Sequence, residues 1–574
     1  MEQDPLHLEN VVAVEPKVDL EETFRPKNVI SRGGVNRSVM ELPASGYGNS
    51  NWVWNNITPP SMQTVVEKSL RIKYQFTATV VYPTAAALPN YPLLPGIVAA
   101  TGAPVGGNLT GCLRAFPLQS ALSTISVRIN GTPCDGSNAD WICMYPHLIS
   151  ENEARVQCSE FPTQPDDLAL YVNPADPGRS PFSPYSSNPN IPTRASFVAT
   201  TFTTVVAAGV TTSTYLFEVV EQIILSPFSW GSGLDSMGLA NIYNMTINMK
   251  FSDPNRVLSI MPSAFPANTT CVVSFNDGGN SIQPPKLLIE YTSPDPILAA
   301  RMPADLIVPY ELFETNIQVT TGGAYTNAPM ATSNQIVANS LQMASIPEKV
   351  YIYCRPSVTS LGGNAAFTTP DTFLRITGLN ITWGNRIGLF STYSERDLLK
   401  CSQSNGSRQD YHSWAYRQGS LMIVDVAKDI GLNEGQTSGQ PNTYSTMAIT
   451  VKVDNTPIAY AQGAALTNYD LYVIVVKSGK MVISRNGAQQ ILVGPSGEEV
   501  IRAVADITAR VDSTELKKLD RSQGGSILSG AAKLLSHGLS LVKHMKTAHE
   551  HPPKSLGGGA ISAGRLHRNR RTVE

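Results

Sequence analysis

The chain has 574 residues, of which 42% are apolar and 15% are charged, against roughly 25% charged in an ordinary soluble domain. The 43 glycines and 41 prolines show no period, which excludes a collagen-like chain, and the apolar content argues against disorder throughout. The length allows two to four domains with buried cores, and the low charge favours a surface that is in large part covered by other subunits.

The N-terminal segment is acidic in a chain whose net charge is only −2. Residues 1–25 contain seven acidic and two basic residues, so we expect residues 1–60 to form an arm with a partner of its own. The first residues, MEQDPLHLEN, have neither the basic nor the apolar region of a signal peptide, and no apolar run long enough for a membrane span follows. The sequence therefore predicts a protein that is made inside a cell and is not secreted.

The body of the chain shows the period of two that is typical of half-buried strands. Apolar and polar residues alternate over 70–80, 125–129, 243–251 and 447–453. Further on, 471–476 and 481–483 are predicted to form two strands joined by a tight turn at Ser478 and Gly479. Strands of this kind over more than 400 residues predict an all-β chain built of antiparallel sandwiches.

Within the body of the chain, helices are predicted only in the connections. One covers 392–405, where Thr392 and Glu395 have capping-box spacing and Gly406 ends the helix, and a second falls within 141–158. The turn-rich stretches 162–192 and 431–441 are predicted to be long loops with a binding or surface role. A proline-rich junction divides the body into halves at 61–295 and 296–512, and a weak internal echo relates 116–122 to 373–379.

The C-terminal segment 513–574 is predicted to be a basic arm. Residues 521–574 contain nine Lys or Arg and two Glu, a net charge of +7. The basic side chains close to its end are Arg565, Arg568, Arg570 and Arg571. A flexible arm of this charge favours an acidic partner.

Within this arm, 526–546 has the apolar spacing of an amphipathic helix. The predicted apolar face comprises Ile527, Leu528, Leu534, Leu535, Val542 and Met545. Because Gly530 and Gly538 each cost about 1 kcal/mol of helix stability, we expect the helix to form only against a partner surface. A groove on a neighbouring protein is the favoured partner, an anionic membrane interface is the second, and a permanently disordered tail is the alternative.

The sequence contains no motif of a known catalytic site. P-loop, nucleophile-elbow, H-E-x-x-H and Rossmann patterns are missing, and outside the arm only His7, His147 and His412 offer an imidazole. The cluster His544, His549, Glu550 and His551, and the pair Asp166 and Asp167, are interpreted as solvated polar residues of proline-flanked segments. We therefore predict a protein that is not an enzyme and that has no metal and no cofactor.

Five stretches in order along the chain carry a family resemblance. They are AFPLQSALSTISVRING (115–131), VEQIILSPFSWG (220–231), IPEKVYIYCRPS (346–357), FLRITGLNITWGNRIGLFSTYSERDLLKCSQSNGS (373–407) and LMIVDVAKDIGL (421–432). Together they resemble the double jelly-roll major capsid proteins of eukaryotic DNA viruses and virus-like elements of the polinton, adintovirus and virophage kind, which share their fold with the adenovirus hexon. The resemblance spans roughly 60–510 of this chain.

This resemblance implies two consecutive eight-stranded antiparallel jelly rolls, at 61–295 and 296–512, with short connecting helices. It also implies a homotrimer that forms a pseudo-hexagonal tile of an icosahedral virion shell, assembled after synthesis in the cytoplasm or nucleus of a host cell. The expected partners are further copies of the chain and penton or minor capsid proteins. Both arms are expected on the inner face, where the C-terminal arginines meet packaged nucleic acid without sequence specificity, unless the arm only aids solubility or binds a minor capsid protein. Contact with a membrane is left open.

Two other classes of β protein are compatible with the strand pattern. A β-sandwich attachment or receptor-binding surface protein predicts a signal peptide or disulfides, whereas the seven cysteines are an odd number without a C-x-x-C pair, as is typical of reduced thiols. A β-sandwich glycosidase needs paired carboxylates on facing strands, and no motif marks such a pair. The capsid interpretation is therefore favoured over both.

Overall fold

A computed structural model describes most of the chain between residues 36 and 491. The described ranges are 36–61, 63–82, 111–148, 198–207, 210–228, 238–260, 270–278, 282–294, 304–319, 324–325, 334–343, 347–356, 365–368, 371–383, 386–430, 445–455, 467–484 and 487–491. The predicted long loops at 162–192 and 431–441 and the predicted C-terminal arm lie outside these residues.

The first half forms one sandwich of antiparallel sheets. Its strands are β1 (Asn36–Pro43), β2 (Gly46–Tyr47), β3 (Asn51–Ile57), β4 (Val65–Val66), β5 (Arg71–Tyr82), β6 (Gly111–Leu113), β7 (Leu122–Ile129), β8 (Thr132–Gly136), β9 (Val198–Ala207), β10 (Val210–Gln222), β11 (Met245–Phe251), β12 (Leu258–Ile260), β13 (Thr270–Ser274) and β14 (Lys286–Ser293). One sheet has the order β1-β14-β5-β10-β9, with β13 also paired to β5 and β4 to β14, and the facing sheet has the order β2-β3-β11-β7-β8. A separate short pair joins β6 to β12.

The second half forms another antiparallel sandwich. Its strands are β15 (Asp305–Gln318), β16 (Ala324–Tyr325), β17 (Asn334–Met343), β18 (Lys349–Pro356), β19 (Arg375–Trp383), β20 (Arg386–Leu389), β21 (Met422–Asp425), β22 (Ser445–Asp454), β23 (Thr467–Ser484) and β24 (Gly487–Ile491). The order β15-β23-β18-β21, with β16 and β24 paired to β23, makes one sheet, and β17-β22-β19-β20 makes the other. The predicted fold class, an all-β chain of two consecutive antiparallel sandwiches, is confirmed.

The alternating segments pack as the sequence predicts. In the first core Trp52 contacts Tyr74, Phe251 and Phe275, with ring centroids 5.7, 4.8 and 5.1 Å apart. These rings come from both sheets and from the end of β13, so the aromatic cluster holds the two layers together. Aromatic pairs at such distances add about 0.5–1.5 kcal/mol each beyond the area that they bury.

Strands of the first sandwich already occur within residues 1–60, the predicted N-terminal arm. Strand β1 pairs along its whole length with β14, from Asn36 opposite Ser293 to Pro43 opposite Lys286, and β3 pairs with β11. The boundary at residue 60 is therefore wrong for 36–57, because the alternation in NWVWNNI places Trp52 and Trp54 in the core. Residues 1–35 lie outside the described part of the chain.

The predicted hairpin at Ser478 and Gly479 is wrong. Strand β23 runs through both residues without a turn, and they pair with Glu311 and Tyr310 of β15. A long partner strand offers hydrogen bonds along this whole segment, and that outweighs the local turn preference of a Ser-Gly pair.

The helices are short. They are α1 (Pro117–Ala121), α2 (Asn138–Trp141), α3 (Ala365–Thr368) and α4 (Glu395–Ser404), with 3-10 turns at Ile142–His147 and Pro254–Val257 and π turns at Ser413–Arg417 and Val426–Ile430. Helix α4 confirms the predicted helix but not its cap, because Ser394 and Asp397 form the capping box instead of Thr392 and Glu395. None of the helices among the described residues is long and apolar enough to cross a membrane.

Candidate functional site: the junction of the two sandwiches

The two sandwiches share a long two-stranded ribbon, formed by β15 and β23. The pairing is continuous from Asp305 opposite Ser484 to Gln318 opposite Leu471. At one end of the ribbon five side chains lie in the core of the first sandwich, namely Leu306, Val308, Tyr310, Met481 and Ile483. At the other end Leu471, Val473 and Val475 lie in the core of the second sandwich. The predicted division into halves therefore does not separate the two cores.

Two asparagine side chains form hydrogen bonds between the end of this ribbon and the first sandwich. Asn130, in the turn between β7 and β8, donates from Nδ2 to the carbonyl oxygens of Asn241 at 2.9 Å and Ser484 at 3.3 Å. Asn241 in turn donates to the carbonyl oxygen of Ala304 at 3.2 Å. Because these side chains are buried and bonded on both sides, they fix the register between the ribbon and the first sandwich.

An aromatic layer fills the space between the sandwiches. The sheet that contains β18, β21 and β23 is apolar on both faces, because one face covers its own core and the other meets α1, α2 and the end of β10. On the second face Tyr353 stacks on Tyr472 at 5.3 Å and contacts Phe373 at 4.6 Å, while Trp141 stacks on Phe313 at 5.0 Å. Strands buried on both faces lose the period of two, which explains the uninterrupted apolar run of β23.

Gly419 holds Phe373 in this layer. The backbone of Gly419 has φ +82°, and an added Cβ would lie 2.0 Å from the carbonyl oxygen of Phe373. The amide of Phe373 donates to the carbonyl oxygen of Gln418 at 3.0 Å. Only glycine combines this φ with so close a backbone approach.

Beside the aromatic layer lies a buried group of charges, here called the arginine cluster: Arg114, Arg256, Arg355 and Asp371. Arg114 and Arg256 belong to the first sandwich, and Arg355 and Asp371 belong to the second. The Asp371 carboxylate accepts from Arg114 Nη1 at 3.1 Å, from Arg355 Nη2 at 2.9 Å and from Arg256 Nη2. Each arginine side chain is only 1% exposed and Asp371 is 11% exposed. One carboxylate therefore ties three guanidinium groups across the junction.

Backbone carbonyls complete the surroundings of the arginine cluster. Arg114 Nη2 donates to the carbonyl oxygen of Ala366 at 2.9 Å, and Arg256 Nη1 donates to the same oxygen at 3.3 Å. Arg355 Nη1 donates to the carbonyl oxygen of Ala139 at 2.5 Å. Helices α2 and α3 are thereby joined to the cluster.

The charges in the cluster shift one another's pKa values. Burial acts to raise the pKa of Asp371, but the guanidinium groups of Arg256, Arg355 and Arg114 outweigh it and hold that pKa far below its ordinary value. Burial, and then the neighbouring Arg114, lower the pKa of Arg256 to about 10. Asp371 and Arg256 thus stay charged at neutral pH.

A second buried network, made of hydrogen bonds, surrounds Glu221 of β10. Its carboxylate accepts the backbone N–H of Leu118 at 2.8 Å, the backbone N–H and Nε2 of Gln119 at 3.2 and 3.1 Å, and the hydroxyl of Tyr74 at 3.2 Å. Gln119 Oε1 accepts from Asn138 Nδ2 at 2.8 Å. Burial raises the pKa of Glu221 to about 7 despite these donors. The network fixes α1 and α2 against the first sandwich.

Glu221 is expected to make stability fall as pH rises from about 5 to 7. Its pKa in the folded chain lies above the ordinary value of 4.5, so in this range the folded chain keeps a proton that the unfolded chain has released. The resulting decrease in the free energy of unfolding is up to about 3 kcal/mol. The Glu221→Gln variant should lose this decrease in urea unfolding curves recorded from pH 5 to 8.

Glu218→Gln is the matched control on the same strand, because Glu218 is partly exposed and its pKa is lowered by hydrogen bonds to Lys73 and Gln75, against a burial effect in the other direction. The Glu218→Gln variant should keep the decrease in the free energy of unfolding between about pH 5 and 7. If stability falls with pH equally in the parent and in Glu221→Gln, the role given to Glu221 is wrong.

Some of the residues singled out in the sequence lie at the junction, and others lie outside the described part of the chain. The arginines Arg565, Arg568, Arg570 and Arg571 and the apolar face of 526–546 lie outside the described residues. His147 lies at the junction, where its ring packs 5.4 Å from that of Phe373. Phe116 and Phe373, which begin the two echoing segments, both lie in the aromatic layer. Within the described residues no group of His, Cys, Asp and Glu is arranged to hold a metal ion.

The arginine cluster was missed by sequence reasoning. Its members come from three separate parts of the chain and follow no motif spacing. The available signal was an arginine directly after an apolar run, as in GCLR before residue 115 and VYIYCR before residue 356. An arginine in such a position has to find a buried partner, which points to a contact between elements.

Comparisons with known proteins cover nearly the whole chain. The family model described as Sputnik virophage major capsid protein 1st domain matches residues 8–292, and that described as major capsid protein V20 C-terminal domain matches residues 315–417. Capsid protein V20 of Sputnik virophage is 27% identical over 559 residues, which cover 92% of this chain and 86% of the relative.

Solved structures show the same architecture. A chain of the cryo-EM structure of the Sputnik virophage matches with a TM-score of 0.67 and 24% identity, covering 89% of this chain and 98% of the other. The crystal structure of the mavirus major capsid protein matches with a TM-score of 0.60 and 13% identity, covering 86% of this chain and 97% of the other. At these identities the structural matches establish the fold.

Proposed function

Because the chain is a double jelly-roll major capsid protein, a structural component of a virion that associates with copies of itself, we propose that three copies form a pseudo-hexagonal capsomer and that these capsomers tile an icosahedral shell. The junction is the observation that supports this arrangement most directly. The shared ribbon, the aromatic layer and the arginine cluster join the two jelly rolls into one block. Three such blocks supply six jelly rolls, the number that a six-sided outline needs.

The composition supports extensive contacts between copies. With 15% charged and 42% apolar residues, the chain has few groups to solvate an isolated surface. Permanent assemblies commonly bury more than about 2,000 Å² at their interfaces, with cores depleted in charge. We expect the capsomer contacts to fall in this class.

The proposal extends to the partners of the C-terminal arm. Its net charge of +7 supports contact with packaged nucleic acid on the inner face of the shell, through Arg565, Arg568, Arg570 and Arg571. The apolar residues of 526–546 support a groove on a penton or minor capsid protein as the second contact of the same arm. Synthesis in the cytoplasm or nucleus of the host cell, without secretion, belongs to this proposal.

We expect the purified protein to be a trimer in solution. Multi-angle light scattering should give three times the 61.8 kDa of the chain, and negative-stain electron microscopy should show six-sided particles. A monomer that stays folded at micromolar concentration contradicts the capsomer proposal.

The chain without residues 513–574 separates the capsomer from the arm in the same measurement. It should remain a trimer, because the proposed contacts lie in the jelly rolls, while shells assembled from it should retain less nucleic acid. If the shortened chain packages nucleic acid as the full chain does, with the same salt sensitivity, the arm has no role in nucleic-acid binding.

A further inference from the structure

Three segments of the first jelly roll contain no charged residue at all. They are 74–113, 195–217 and 257–276, a total of 83 residues in which the chain average of 15% would place about twelve charges. The segments are far apart in the sequence. The first includes most of β5, the second includes β9 and part of β10, and the third includes β13. The lack of charge in all three segments indicates that they share one environment.

The structure brings the parts of these segments that lie in β5, β9, β10 and β13 together at one end of one sheet. Val81 of β5 lies opposite Thr212 of β10 and opposite Thr270 of β13, and Thr212 lies opposite Val205 of β9. One step along the sheet, Thr79 lies between Thr214 and Val272, and the hydroxyls of Thr79 and Thr214 are 3.3 Å apart. These residues lie on the outer side of the sheet at this end and are here called the neutral face: Thr79, Val81, Val205, Thr212, Thr214, Thr270 and Val272.

The neutral face leaves β-branched side chains in solvent. Val205 is 60% exposed and Val272 is 57% exposed, whereas Cys271 and Val273, on either side of Val272, lie in the core. The other end of the same outer side has the opposite character, because Lys73 pairs with Glu218 at 2.9 Å and Lys286 pairs with Glu41 at 2.9 Å. One side of a single sheet is thus divided into a charged half and an uncharged half.

We propose that the neutral face is a contact surface between copies of this chain and that its occupant is a second copy. An uncharged face of valine and threonine on a regular sheet resembles the core of an interface, which is depleted in charge, more than it resembles a solvated surface. A contact between identical chains brings no like charges together at such a face, and neighbouring copies are the most abundant partner of a protein that builds a shell. The inference rests on the capsid function, but not on the number of copies in a capsomer.

The charged half of the sheet sets the limit of this contact. Its ion pairs are satisfied within one chain, and burying them in a second interface would cost desolvation without a new partner. The contact surface is therefore expected to end where Gln75 and Glu218 begin the charged half.

Val272→Lys tests the proposal directly, with Val39→Lys as the matched control. Val39 of β1 is also an exposed valine on a strand of the same sheet, at 59% exposure, but it lies opposite Glu290 in the charged half. Lysine at position 272 should weaken self-association at least about 30-fold, because a buried unpaired charge opposes association, whereas lysine at position 39 should leave it unchanged. Light scattering over a dilution series and electron microscopy of assembled shells give the readout.

Circular dichroism and thermal unfolding show whether each variant keeps the parent fold. Equal self-association of Val272→Lys and the parent overturns the proposal, as does weakening by Val39→Lys alone. If Val272→Lys is folded and associates normally but loses binding of a minor capsid protein, the neutral face serves that partner and the inference of a second copy is wrong. If the parent protein is a monomer in solution but still assembles into shells, only the proposal of a trimer is contradicted. The neutral face is then tested by comparing how well Val272→Lys and Val39→Lys assemble into shells.

Discussion

Replacing Asp371 by asparagine is expected to lower the free energy of unfolding by about 3–5 kcal/mol, because removal of one partner leaves buried charges without compensation. Asparagine keeps the size of the side chain but not its charge. Arg114, Arg256 and Arg355 would then face one another across the junction without the carboxylate that they share. Denaturant unfolding of the purified variant gives the value.

Glu41→Gln is the control for the loss of one negative charge. Glu41 also pairs with a basic residue, Lys286, but both side chains are about half exposed, and exposed pairs contribute little. A change of less than about 1 kcal/mol for Asp371→Asn would show that the junction does not depend on this carboxylate.

A chain that ends at Ser293 is expected not to fold, although it contains every strand of the first sandwich. It lacks Leu306, Val308, Tyr310, Met481 and Ile483, which the ribbon contributes to that core. Full burial of such side chains is worth about 1.5–3 kcal/mol each, so the loss is of the same order as the whole stability of a domain, about 5–15 kcal/mol. Hydrogen exchange and circular dichroism should show a fragment without protected strands.

Point variants of the full chain check the same contribution. Ile483→Ala should cost about 2–5 kcal/mol, whereas Val482→Ala, on the half-buried side of the same strand, should cost clearly less. A fragment ending at Ser293 that unfolds cooperatively would show that the first sandwich needs no help from the ribbon.

The sequence was sufficient to predict the strands that are buried on one face only. The alternation over 70–80 and 447–453 predicts β5 and β22 because each strand has one buried and one open side. It failed at Ser478 and Gly479, since the signal for a turn is local whereas the 14-residue β15 that keeps β23 straight lies far away in the chain. The same limit applies to the cap of α4. Thr392 and Ser394 both have acidic residues at capping distance, and the helix uses Ser394 with Asp397.

The site was less predictable than the fold. Arg355 and Asp371 are 16 residues apart, but Arg114 and Arg256 come from distant strands and turns, and no spacing relates the four. The resemblance to capsid proteins was carried by segments that include Phe116, Arg355 and Phe373, all of which lie at the junction. Those segments therefore marked the contact between the jelly rolls, although their role was not visible in the residues themselves.

The ribbon also places completion of the first core late in the synthesis of the chain. The ribosome releases β1 to β14 first, but the core that they surround stays incomplete until β23 and β24 have been synthesised near the end of the chain. A nascent chain thus carries every strand of the sheet with the neutral face before it carries the ribbon side chains that complete the core behind that sheet. We therefore expect translation products that end before the ribbon to have an incomplete first core and not to assemble.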